Sequence, residues 1–177
     1  VVVTNDPEVI RQADGIILPG VGAFPAAMSN LEACHLVPVL NEVKDKGTPI
    51  LGICIGMQLL FEEGSENGHT KGLGFLKGSV DKMEVDAKLP HMGWNQLVIK
   101  QSHPLLKYVE EGDYVYFVHS YSAHCPEDEI GAYVNYGCKK ITAFVYKDNV
   151  MGTQFHPEKS GEIGKKILRA FKELVSC

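Results

Sequence analysis

The chain has 177 residues, 45% of them hydrophobic and 22% charged, with a net charge of −5. That is the composition of one soluble globular domain large enough to bury a full core. The mild acidity gives no footprint for nucleic acid, no apolar run approaches a membrane span, and nothing reads as a signal peptide. Cys34, Cys54, Cys125, Cys138 and Cys177 are odd in number and lack C-x-x-C spacing, which suits a reduced, cytoplasmic chain rather than a disulfide framework or zinc site.

In chain order, residues 1–4 (Val-Val-Val-Thr) read as a strand, and Asp6-Pro7 as a helix start with proline near the first position. Residues 15–18 form a second apolar strand running into Pro19-Gly20-Val21-Gly22. Helices are expected around residues 26–31 and 36–46, the second with Leu36, Val39, Leu40 and Val43 on one stripe. Residues 50–53 are a third apolar strand, followed at once by a helical pattern with Met57, Leu60 and Phe61 on one side. Strand–helix alternation predicts an α/β fold, a doubly wound and mostly parallel sheet with its ligand at the carboxyl ends of the strands. Residues 63–74 read as a polar loop. Short strands then follow at 79–83, 96–99, 114–118, 132–136, 142–146 and 150–155, predicting an added antiparallel region. Ser160 is positioned to cap a final helix with Ile163, Ile167, Ala170, Phe171 and Leu174 as its apolar stripe. A single domain over residues 1–177 is expected.

Gly52-Ile53-Cys54-Ile55-Gly56 is a nucleophile elbow with sulfur in place of oxygen. The flanking glycines would remove Cβ atoms where strand and helix cross, and a helix N-terminus would favour thiolate. The competing reading is a buried structural cysteine. A base is available in His156-Pro157-Glu158: in an extended segment residues two apart face one way, letting a carboxylate orient the imidazole. A surface histidine is the plainer alternative. H-x-E also opens a zinc deaminase signature, but the P-C-x-x-C it needs is missing. Backbone N–H groups of Ile55 and of the Gly20-Val21-Gly22 stretch are candidate oxyanion donors, unless the latter is an ordinary turn.

Three of these stretches, Pro19 to Gly22, Gly52 to Gln58 and Gln154 to Glu158, resemble the class I (triad) glutamine amidotransferase family. His91-Met92-Gly93-Trp94-Asn95, Tyr116 to Tyr121 and Gly152 to Ser160 sharpen the resemblance towards glutaminase subunits of imidazole glycerol phosphate synthases. It covers essentially the whole chain. It implies that Cys54 attacks the glutamine carboxamide, that His156 moves protons and that Glu158 orients His156. It further implies that Gly20, Gln58, Glu66, His119, Ser120 and Tyr121 bind substrate, and that Val21, Gly22 and Ile55 supply oxyanion donors. His91, Met92, Trp94, Asn95 and Lys159 match a surface facing a partner (βα)₈-barrel synthase, which receives ammonia in a heterodimer. No cofactor and no metal are implied. Family members carry a strand and helix upstream of the position matching Val1, so a truncated domain is expected.

Other readings are the glutaminase of anthranilate or guanylate synthesis, against which His91 to Asn95 speaks, and a regulatory module, which should lack a triad member. A cysteine peptidase would lack Gln58 and the His119-Ser120-Tyr121 segment. The paired glycines around Val21 also predict a peptide that turns its N–H into place only when the partner is docked.

Overall fold

The computed structural model describes residues 1–176; Cys177 lies outside them. In chain order the elements are α1 (Pro7–Gln12), β1 (Ile16–Leu18), α2 (Phe24–Ala33), α3 (Leu36–Asp45), β2 (Ile50–Ile53) and α4 (Ile55–Gln58). There follow β3 (Phe61–Gly64), β4 (Thr70–Lys71), β5 (Leu76–Lys82), β6 (His91–Gln96), β7 (Val98–Ile99), β8 (Tyr114–His119) and β9 (Tyr121–His124). The chain closes with β10 (Ile130–Tyr136), β11 (Lys139–Lys147), β12 (Val150–Thr153) and α5 (Gly161–Val175), with short 3₁₀ turns at Pro104–Leu106, Glu127–Glu129 and Pro157–Lys159.

The main sheet has the order β1-β2-β12-β11-β10-β7. Its first three strands are parallel and the rest join antiparallel. The α/β expectation holds, with the added antiparallel region as extensive as the parallel one. All four residues of β2 and of β12 are buried, as befits strands paired on both edges and covered above and below. A four-stranded sheet, β4-β3-β5-β9, and a two-stranded ribbon, β6-β8, take up the other strands.

Local chemistry sets several boundaries. The Asp6 carboxylate accepts from Glu8 N at 2.9 Å and Pro7 opens α1, a standard N-terminal start. The α3 stripe of Leu36, Val39, Leu40 and Val43 is buried as its spacing predicts.

Three expectations are corrected. Residues 1–4 are irregular and exposed, because among the described residues no strand lies alongside to take their backbone hydrogen bonds. The helix after the elbow is a single turn, since Phe61 already opens β3 and Leu60 is buried in the link before it rather than on a continuing helical stripe. The loop expected at 63–74 instead supplies parts of β3 and β4, with Glu63 paired to Lys71.

Candidate active site

The elbow closes tightly. Cys54 follows β2 with φ 54° and ψ −111°, in a region that side chains rarely occupy and that marks stored strain. A Cβ on Gly56 would lie 1.8 Å from Leu18 O, and one on Gly52 would lie 2.7 Å from Gly56 O. Glycine at both positions is therefore a steric requirement. Gly20 seats the Pro19–Gly22 stretch on the elbow, for a Cβ there would lie 3.0 Å from Gly56 N. Val21 is 86% exposed, and Gly22 takes a φ of 89° that glycine tolerates.

The thiol of Cys54 is buried, 3.9 Å from Val118 O and 3.8 Å from Gln154 Nε2. Burial pushes it up to about 11, against the pull of the Ile55 backbone N–H aimed at it. The expectation of a helix-stabilised resting thiolate is thus overturned: one turn of helix is a weak dipole, and desolvation of the charged sulfur outweighs it.

His156 Nδ1 is 2.5 Å from Glu158 Oε1, and the imidazole is buried while about half of the Glu158 side chain is exposed. The pairing is achieved by the 3₁₀ turn Pro157–Lys159, not by the extended backbone that the spacing suggested. Two bonds lock this turn to β8: His156 N donates to Tyr116 O at 3.0 Å, and Tyr116 N donates to Ser160 Oγ at 3.0 Å. The Ser160 hydroxyl also donates to His156 O at 2.6 Å. Ser160 does stand at the N-cap of α5, but its side chain makes no cap bond because it is buried as this clamp. His156 is not a hydrogen-bond partner of Cys54 among the described residues.

Around the thiol lies a polar cluster. Gln58 Nε2 donates to Tyr121 O at 3.3 Å and to Gln154 Oε1 at 3.1 Å. Gln58 Oε1 is buried without a hydrogen-bond partner among the described residues. A lone buried acceptor costs roughly 1–3 kcal/mol and is a ready place for a substrate N–H. His119 Nδ1 lies 2.9 Å from Tyr121 O, so His119, Tyr121, Gln58 and Cys54 form one connected group. Ser120 is held by its carbonyl, which accepts from Met83 N at 2.9 Å. Glu66 sits apart from that group: its Oε1 accepts from Phe24 N at 3.1 Å, capping α2 beside Gly22. Gln154, wholly buried, is the site residue that sequence reasoning missed. It stands two residues before His156, the spacing that could have found it.

The five residues expected on a partner surface divide by strand period. Met92 (62% exposed) and Trp94 (54% exposed) face outward on β6, and Lys159 is exposed at the end of the 3₁₀ turn that follows His156. His91 is 3% exposed and points inward with the half-buried Asn95, because alternate strand residues face opposite ways. His91 therefore presents almost no surface of its own to a partner in this chain. Trp94 meets Tyr116 edge to face at 5.8 Å, directly outside the strand that holds His156.

The fold is that of the class I glutamine amidotransferases, and the model of the glutamine amidotransferase class-I family matches residues 1–174; the chain belongs to that family. Among curated relatives, the imidazole glycerol phosphate synthase subunit HisH of Lactococcus lactis subsp. lactis (strain IL1403) is 56% identical over 97% of this chain and 85% of its own length. The subunit HisH of Bacillus cereus (strain G9842) is 52% identical over 99% of this chain and 84% of its own length. Among solved structures, a glutamine amidotransferase superposes with a TM-score of 0.75 at 18% identity, covering 98% of this chain and 85% of that one. The glutaminase domain of Trypanosoma brucei CTPS with bound acivicin superposes with a TM-score of 0.63 at 16% identity, covering 94% and 74%. These two likenesses speak to the fold alone.

Proposed function

We propose that this chain is the glutaminase subunit of an imidazole glycerol phosphate synthase, hydrolysing glutamine and passing ammonia to a barrel-shaped synthase subunit. The observation that carries the reading is the strained Cys54 elbow (φ 54°) in a chain 50–56% identical to HisH subunits along nearly its whole length.

The chemistry follows from the groups present. The Cys54 sulfur attacks the carboxamide carbon of glutamine while its proton passes to His156, whose other ring nitrogen is held by Glu158. Since burial keeps the thiol protonated at neutral pH, proton removal belongs to the attack itself. The N–H of Ile55, with one turned in from Val21 or Gly22, would stabilise the oxyanion. His156 returns the proton to the departing nitrogen, releasing ammonia and leaving a γ-glutamyl thioester. Water activated by His156 then hydrolyses the thioester to glutamate. The unpartnered Gln58 Oε1, the Glu66 carboxylate and the His119–Tyr121 segment are the substrate-holding groups. Met92, Trp94 and Lys159 supply the exposed part of the docking face for the synthase, with half-buried Asn95 and buried His91 behind it.

The test is ammonia release from glutamine by the chain alone and with a barrel synthase. Slow release alone and a large rise on docking are expected, since one missing oxyanion donor costs about a hundredfold to a thousandfold. No release under either condition would overturn the reading.

A further inference from the structure

Two buried histidines that perform no acid–base step in the mechanism lie in a chain of hydrogen bonds leading to the substrate pocket. Asn95 Nδ2 donates to Asn135 O at 3.0 Å, which fixes the direction of its amide. The same Nδ2 lies 3.3 Å from His91 Nε2, His91 Nδ1 lies 2.9 Å from His119 Nε2, and His119 Nδ1 lies 2.9 Å from Tyr121 O. A carbonyl only accepts, so His119 Nδ1 carries the proton and its Nε2 is bare. That bare nitrogen requires a donor, so His91 is also protonated on Nδ1, and its own bare Nε2 accepts from Asn95. One arrangement of protons satisfies every member.

The Tyr121 carbonyl at the inner end is shared with Gln58 Nε2 at 3.3 Å, and Gln58 holds Gln154 beside Cys54. The His91 ring is held in plane between Phe117 at 4.7 Å and Tyr136 at 4.0 Å, both stacked. We propose that His91 is a positioning residue for glutamine binding: it fixes the His119 tautomer, and thereby the Tyr121 carbonyl and the Gln58 amide beside the nucleophile. The proposal rests on the glutaminase reading for its substrate, but not for its geometry.

Two measurements test it. In the ¹⁵N-histidine-labelled wild-type chain, NMR should find His91 and His119 both neutral and protonated on Nδ1; an Nε2-protonated tautomer of either overturns the relay. In the complex with the synthase, His91→Phe keeps the ring stack but removes the donor. It should raise the KM for glutamine about tenfold, the loss expected from orphaning one buried acceptor, with kcat per folded site within about threefold. His91→Asn, whose amide nitrogen can stand where Nδ1 stood, should recover most of that loss. An unchanged KM in His91→Phe, or equal damage in both variants, would contradict the proposal. If His91→Phe does not fold, the tautomers decide. A wild-type complex without glutaminase activity would defeat the functional reading instead, and again the tautomers alone would judge the relay.

Discussion

Gln154 Nε2 stands 3.8 Å from Cys54 Sγ, although the two residues are one hundred positions apart in the chain. The contact exists because β12 pairs with β2 in register, Thr153 opposite Ile53, so the residues that follow each strand emerge together. It gives the sulfur an amide N–H while the thiol itself faces Val118 O. Alkylation of Cys54 by iodoacetamide, followed at its own peptide because Cys138 is exposed, should therefore be slow at neutral pH in the isolated chain and rise towards a midpoint near the value of about 11 set by burial. Gln154→Leu should move that midpoint higher still, by removing a group that favours the anion. A midpoint at or below the ordinary thiol value of 9.0 would contradict the assignment.

Glu158 and His156 should differ in weight. His156→Ala removes the proton carrier and should cost about 10²–10⁴-fold in glutaminase kcat/KM. Glu158→Gln should cost less, because a half-exposed carboxylate orients the ring without exchanging protons itself and the Tyr116 and Ser160 bonds still hold the turn. Single-turnover ammonia release compares them; a Glu158→Gln protein as inactive as His156→Ala would show that the carboxylate does more than orient.

For Trp94→Ala the isolated chain should lose little stability, about 0.5–1.5 kcal/mol for the edge-to-face contact with Tyr116. Affinity for the synthase should fall more, by about 2 kcal/mol or thirtyfold if Trp94 anchors the interface. Thermal unfolding and a binding titration separate the two, and a large fall in Tm with unaltered binding would contradict the docking role.

Stability should fall on mild acidification. Burial lowers both His91 and His119 from 6.5 to about 4, so below pH 6.5 the unfolded chain binds protons that the folded chain refuses. The contribution is present above pH 6.5 and is lost as pH falls towards 4, on the order of 2 kcal/mol per histidine at most by pH 5. Burial lowers His103 too, and it adds in the same direction. Urea unfolding at pH 7 and pH 5 checks the sign; equal stability at both would contradict the buried, neutral assignment.

The elbow and the α3 helix were legible because each obeys a local steric or periodic rule: glycine where Leu18 O and Gly56 O leave no room for a Cβ, and one apolar stripe along α3. The interface residues were half legible. His91 to Asn95 could be recognised as a motif, but the inward turn of His91 depends on β6 pairing with β8, His91 opposite His119. Nothing within six residues of sequence carries that register. The role of Ser160 was hidden for a related reason. Its spacing before α5 announces a cap, and only the approach of Tyr116 from 44 residues away turns the hydroxyl to a different partner. Gln154 likewise becomes a neighbour of Cys54 only through the β2–β12 pairing.

The most direct test of the account is the Cys54→Ala complex with its synthase, assayed for product formation from glutamine and from added ammonium. The synthase needs only the nitrogen, so synthesis from glutamine should vanish while synthesis from ammonium stays near the wild-type rate. Glutamine-dependent synthesis at the wild-type rate in that variant would show that Cys54 is not the nucleophile.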